Sequence, residues 1–239
     1  MANDDDAFQA PPDGPEPLDW SKKQHFRKLF SRQAVSSYLY LSFGMGVIAL
    51  SLPILLLLVD GYDHHYSISN YFYGSDLART IFTGCLCAIG AFLLLFRGLS
   101  RRENWTLNVA GVAAFSVAMN PANAVQCPGH GLSVHLISAI LFFVCLAIVA
   151  IFFSKDRIKF IIYPPLKRRF TLAYNIAGAA MIAMPAGVAA FHYLFRRECE
   201  SPWIFWIESF GIWGFSFYWF VKTQEYRMLL GVPWRWRGE

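Results

Sequence analysis

A chain of 239 residues that is 56% hydrophobic and only 15% charged, with a mean hydropathy of +0.37, holds more apolar side chain than a soluble core can bury. Soluble domains carry about 25% charged residues. The net charge of +5 comes from basic residues bordering the apolar runs, a placement suited to anionic lipid headgroups and not to a nucleic-acid partner.

Residues 1–20 contain Asp4, Asp5, Asp6, Asp13, Glu16 and Asp19 with four prolines and almost no aliphatic side chains. Such a segment cannot offset its ordering entropy and is expected to be disordered. The sign then reverses with Lys22, Lys23, Arg27, Lys28 and Arg32. Phe26, Leu29 and Phe30 share one helical face there. The stretch reads either as a juxtamembrane basic flank or as a short surface helix on the inner leaflet. The region before the first apolar run is too long and too acidic for a cleavable signal, so the first span is expected to stay as an anchor.

Residues 1–33 are thus tail and basic flank, 34–226 a transmembrane domain, and 227–239 a cytoplasmic tail. The domain has six apolar runs, at about 38–59, 77–96, 106–125, 132–153, 171–194 and 203–221. Each approaches the roughly 20 residues a helix needs to cross hydrocarbon. The third, with Asn108, Asn120 and Pro121, is the most polar and is expected at the centre of the bundle. Its Ala110, Ala114 and Ala118, like Ala179, Ala183 and Gly187 of the fifth, have the small-residue spacing that lets helix backbones approach. Pro53 and Pro185 fall inside spans.

With six spans drawn, 18 of the 21 Lys and Arg fall on one side, leaving only Arg79, Arg196 and Arg197 on the other. Basic residues stay cytoplasmic in short loops, so both termini are expected inside. The expected fold is an all-α six-helix bundle in a bacterial inner membrane, with lipids as its surroundings and partners. The sixth run packs ten aromatics into Trp203–Phe220, more than interfacial belts require; some should pack on neighbouring helices or line a lipid-facing groove.

No phosphate-binding, serine-hydrolase-elbow or zinc-protease motif occurs. Cys85, Cys87 and Cys145 lie in spans as small hydrophobes. Cys127 and Cys199 fall in outer loops and are a candidate disulfide pair. Five of the six histidines, His64, His65, His130, His135 and His192, collect on the outer side, with Asp76, Arg79 and Glu208 nearby. An ionisable residue within a span should face a cavity or a partner. His135, Glu208, Asp76, Arg79 and Ser69 are therefore candidates to line an outward-opening polar pocket. His64, His65, His135 and His192 are candidate metal ligands, with zinc the metal such donors suit. Glu208 and Asp76 are the candidate proton acceptors. The bland alternative is that these groups are solvated or paired locally, Glu208 with Arg79 or Arg196. The outer loop from Asp60 to Asp76, aromatic and hydroxylic, suits a segment that folds back over the bundle or an interfacial belt.

Ser67-Ile68-Ser69-Asn70-Tyr71-Phe72-Tyr73 ahead of a basic helix start resembles a family of uncharacterised bacterial multi-spanning membrane proteins. Asn108-Val109-Ala110-Gly111, His135 with Ser138-Ala139, Phe205-Trp206-Ile207-Glu208-Ser209 and Trp219-Phe220-Val221-Lys222 continue the resemblance over most of residues 60–225. It implies fold and location, not an activity. A more distant likeness is to the superfamily of alkaline ceramidases and adiponectin-type receptors, which implies zinc held by three histidines near a Ser and an Asp. This chain departs from that pattern in having six spans and no paired His in the last, which leaves His135 as the best matching ligand. Three readings follow: a protein binding or sensing a lipid or small amphiphile in the outer pocket, a zinc-dependent lipid hydrolase, or a proton-coupled transporter titrating Glu208 and His135. The lack of internal repeats weighs against the last.

Overall fold

The computed structural model describes residues 20–62, 67–120, 133–194 and 202–231. Among these every regular element is helical. In order they are α1 (Trp20–Asp60), a 3₁₀ segment (Ile68–Tyr73), α2 (Asp76–Leu95), α3 (Arg101–Met119), α4 (Val134–Ile148), a π-helical turn (Val149–Phe153), α5 (Ser154–Ile158), α6 (Pro164–Leu194) and α7 (Pro202–Leu230). Two units separate, residues 1–38 and 39–239. In the first, the described residues form the start of α1, and Phe26, Leu29 and Phe30 are all exposed, with the two phenylalanine rings stacked at 6.1 Å.

In the second unit α2 packs on α3, α3 on α4, α4 on α6 and α6 on α7. Helix starts are set by serine caps: Ser75, Ser100 and Ser133 each accept an N–H three residues on, satisfying a donor the helix leaves open. Pro53 and Pro185 both lie within continuous helices.

Among the described residues five helices are long and apolar enough to cross a membrane: Lys22–Asp60, Asp76–Leu95, Val134–Ile158, Pro164–Val188 and Trp203–Leu230. The described part of the third expected span, α3, is not among them. Arg101, Arg102, Glu103, Asn104 and Asn108 occupy the first two turns of α3, and a helix packed on both α2 and α4 needs less apolar exterior. Its central placement nevertheless matches expectation, since Ala110, Ala114 and Ala118 are all buried. At Gly90 and Gly111 the α2 and α3 backbones meet closely enough that a side chain on Gly111 would sit 2.9 Å from the Gly90 carbonyl. The stripe expected on the fifth span needs correction. Ala179 and Ala183 are exposed, and α6 packs through Tyr174, Ala177, Gly178, Ala180, Met181 and Met184 instead, a face rotated from the expected one.

Outward-facing apolar residues such as Leu58, Leu95, Val112, Leu172, Ile176 and Phe210 are exposed, as a lipid-facing shell requires. In α7 the aromatics divide. Phe205, Phe215, Tyr218 and Trp219 are buried, whereas Trp203, Trp206, Phe210 and Phe217 are exposed. With Ala183, Met184, Gly187 and Ile207, the residues Trp203, Trp206 and Phe210 line a groove of about 500 Å³ between α6 and α7.

Candidate functional site

The outer loop folds back into the bundle. Gly61, at φ 69°, ends α1 in the left-handed region that glycine adopts without strain. Asp60 Oδ2 accepts the Ser75 N–H at 2.7 Å, and the Tyr71 hydroxyl donates to the Gly61 carbonyl at 2.7 Å. Burial, with Asp60 and Tyr62 nearby, pushes the Tyr71 phenol up to about 12, so it remains a neutral donor. Ile68 and Tyr71 are buried among Leu52, Leu56, Ala78, Phe82, Val117 and Phe205. This anchors one side of the 3₁₀ turn and leaves Ser67 and Ser69 half-buried.

Those serines join α7 to α4. The Ser67 hydroxyl donates to Glu208 at 2.8 Å, and the Ile68 N–H donates to the same carboxylate at 2.7 Å. Ser67 Oγ in turn accepts the Ser69 N–H at 3.2 Å. Glu208 thus caps the 3₁₀ segment, taking up an N–H group that the start of the helical turn leaves open. The Ser69 hydroxyl lies 2.8 Å from His135 Nε2, and His135 Nδ1 lies 2.7 Å from the backbone carbonyl of Asn120. Asn120 Nδ2 donates to the Ser116 carbonyl at 2.9 Å, and Ser116 and Ser138 share a 2.7 Å bond. One hydrogen-bonded chain therefore crosses this end of the bundle from α7 to α4 and α3.

Of the expected pocket residues, Ser69, His135 and Glu208 come together, with Ser67 between them. Asp76 and Arg79 do not join them. They stand on the exposed first turn of α2, 3.5 Å from each other, and Arg79 Nε donates to the Phe72 carbonyl at 2.7 Å. Glu208 is held by Ser67 and Ile68, not by Arg79. Among the described residues no three His, Cys, Asp or Glu side chains form a metal-binding group. Both ring nitrogens of His135 face protein partners. His64, His65, His130, Arg196, Cys127 and Cys199 lie outside the described residues, as does the side chain of His192. Cys85, Cys87 and Cys145 are free thiols.

Comparison with protein-family models, curated proteins and solved structures finds no match to this chain. Its function has to be argued from its own geometry.

A second polar assembly lies at the opposite end. Arg157 Nη1 donates to Glu103 at 2.9 Å and to the Tyr226 hydroxyl at 2.9 Å. Lys222 Nζ donates to Glu103 at 2.9 Å and to the Tyr218 hydroxyl at 2.7 Å, over the rings of Phe96 and Trp219. Arg157 Nε lies 3.5 Å from Glu225, which also accepts from the Tyr174 hydroxyl. All four charged residues are buried. Burial alone would raise the Glu103 carboxyl, but Lys222 and Arg157 beside it hold it down at about 2. The π turn shifts the helical phase ahead of Arg157, and α5 buries Ser154, Arg157 and Ile158.

The sequence reading missed this cluster because Arg157 and Lys222 were counted with the basic loop residues that set orientation. One signal was present. Ser100 followed by Glu103 has the spacing of a capping box; Ser100 Oγ accepts the Glu103 N–H at 3.0 Å, but Glu103 reaches back to the N–H of Leu99, one residue before the cap, at 3.0 Å.

Proposed function

We propose that this is a six-span protein of a bacterial inner membrane, termini inside, that binds a lipid or small amphiphile at its outer end through Ser67, Ser69, His135 and Glu208. The observation carrying this reading is the convergence of a half-buried carboxylate and two half-buried hydroxyls with a buried imidazole, at the end of the bundle opposite the basic loops. Donors and acceptors so placed suit a polar headgroup, while the exposed apolar faces of α4 and α2 suit its tail. The α6–α7 groove is a separate trough, because Glu208 sits roughly 150° around α7 from the groove residues.

Two measurements test this. Lipid binding in nanodiscs, followed by native mass spectrometry, is expected to weaken about tenfold or more in Glu208→Ala, since a hydrogen bond to a charged group contributes about 1.5–3 kcal/mol. Unchanged binding by folded variant protein would remove the reading. For orientation, cysteine replacing the exposed Tyr73 should react with an impermeant maleimide from outside intact cells, and cysteine replacing the exposed Leu99 only after lysis. The reverse labelling would invert the topology.

A further inference from the structure

Ser67 and Ser69 differ in what takes their proton. Ser67 donates to a carboxylate and is held as part of a cap. Ser69 meets an imidazole nitrogen at 2.8 Å. The tautomer of that imidazole follows from its other partner. A backbone carbonyl can only accept, so Nδ1 carries the hydrogen toward Asn120, 2.7 Å away. Nε2 then presents a lone pair, and Ser69 O–H is the donor. The ring is 6% exposed and fixed from both edges, whereas Ser69 is half-buried. The Ser69 backbone is itself pinned, because its N–H is bonded to Ser67 Oγ, which Glu208 holds. A hydroxyl, a base within hydrogen-bond reach and a third group orienting the base make up the arrangement that activates a weak nucleophile. Here the third group is a main-chain carbonyl.

The geometry points to Ser69 as an acyl-accepting nucleophile, with His135 as its base, acting on carboxylic esters of amphiphiles at the outer face. This rests on the reading of the site as an amphiphile site, and deepens it by naming the substrate class. The apolar residues beside His135 in sequence, Val134 and Ile137 of α4, are exposed, which favours an acyl chain over a water-soluble substrate.

In the first step Ser69 Oγ bonds to the ester carbonyl carbon while its proton passes to His135 Nε2. The tetrahedral adduct collapses, the carbon–oxygen bond to the alcohol breaks, and His135 returns the proton to the departing oxygen. Water then gives a proton to Nε2 as its oxygen attacks the acyl carbon. The bond to Ser69 breaks, Oγ recovers its proton from Nε2, and a carboxylic acid leaves. The sum is ester plus water giving acid plus alcohol. Proton transfer by a positioned base contributes about 100-fold or more.

The test uses the full chain in lipid nanodiscs, a fluorophosphonate probe and p-nitrophenyl decanoate. The expected result is a phosphonyl adduct mapped by mass spectrometry to Ser69, absent from Ser69→Ala and formed about 100-fold more slowly in His135→Gln, with ester hydrolysis falling in parallel. The adduct on unaltered protein decides the matter even if the variants fail to fold. Intact lipid binding without a Ser69 adduct would overturn the nucleophile and leave the binding site standing. An adduct forming equally fast in folded His135→Gln would overturn the base. A Ser69 adduct with neither lipid binding nor decanoate hydrolysis would overturn the amphiphile ester as substrate, and the binding reading with it.

Discussion

Replacing Glu103 by glutamine is expected to destabilise the protein by about 3–5 kcal/mol, the usual result of removing one partner from a buried ion pair. Glu103 accepts from both Arg157 and Lys222, so its loss leaves two buried cations facing Glu225 alone. Thermal unfolding in detergent would report the loss. The informative companion is Glu103→Gln combined with Lys222→Met. That pair removes one charge of each sign and leaves Arg157 beside Glu225, 3.5 Å away. It is expected to recover most of the lost stability, because the expense lies in an uncompensated buried charge and not in the absence of a bond. If the two losses simply add, the four residues do not act as one neutralised group. The cluster gathers Phe96 at the end of α2, Glu103 of α3, Arg157 of α5, Tyr174 of α6 and five residues of α7, Tyr218, Trp219, Lys222, Glu225 and Tyr226. Its failure would therefore loosen that whole end of the bundle.

The outer site answers to different forces. Glu208 is satisfied by one hydroxyl and one N–H of a short 3₁₀ turn, and the apolar anchors of that turn, Ile68 and Tyr71, are buried independently of it. Losing the carboxylate is accordingly expected to affect the site more than the fold. That separation lets a binding or labelling experiment at the outer end be interpreted without a collapse of the protein.

What the sequence made legible follows from which signals are local. Helix positions were readable from runs of apolar residues, and α2, for example, spans Asp76–Leu95 against an expected 77–96. That His135 and Glu208 need partners was readable, because an ionisable residue within an apolar span must find them; that Ser69, Ser67 and Ile68 supply them was not. Pairing was not readable. Nothing in the spacing of Asp76 and Arg79 shows that they engage each other and the Phe72 carbonyl in place of Glu208. The inner cluster was hidden for a similar reason. A lysine at the end of a span reads as an interfacial anchor, and only the tertiary fold reveals that Lys222 is fully buried. Likewise, the alanine spacing on α3 and on α6 was equally regular, yet only the α3 stripe faces inward. Small side chains permit close approach without dictating which face will use it.

Close approach on α3 gives the second large effect. Gly111→Ala is expected to destabilise by about 1–3 kcal/mol, as overpacking a close contact does. The added methyl would lie 2.9 Å from the Gly90 carbonyl and 2.9 Å from Leu94 Cγ. A flexible side chain can give way, but the Gly90 carbonyl belongs to a helical backbone, so α2 and α3 would have to separate. Gly84→Ala, also on α2, is the control. Nothing lies within 4 Å of its new methyl, and the gain in helix propensity should stabilise by about 0.5–1 kcal/mol. Opposite signs from the same chemical change, measured as thermal unfolding in one detergent, would place α3 against α2 at backbone contact. That contact bears on the span count, because α3 alone lacks the apolar length of a crossing helix and depends on its neighbours for cover. If both variants are equally stable, α3 does not approach α2 so closely, and the case for it as a sixth span goes with that contact.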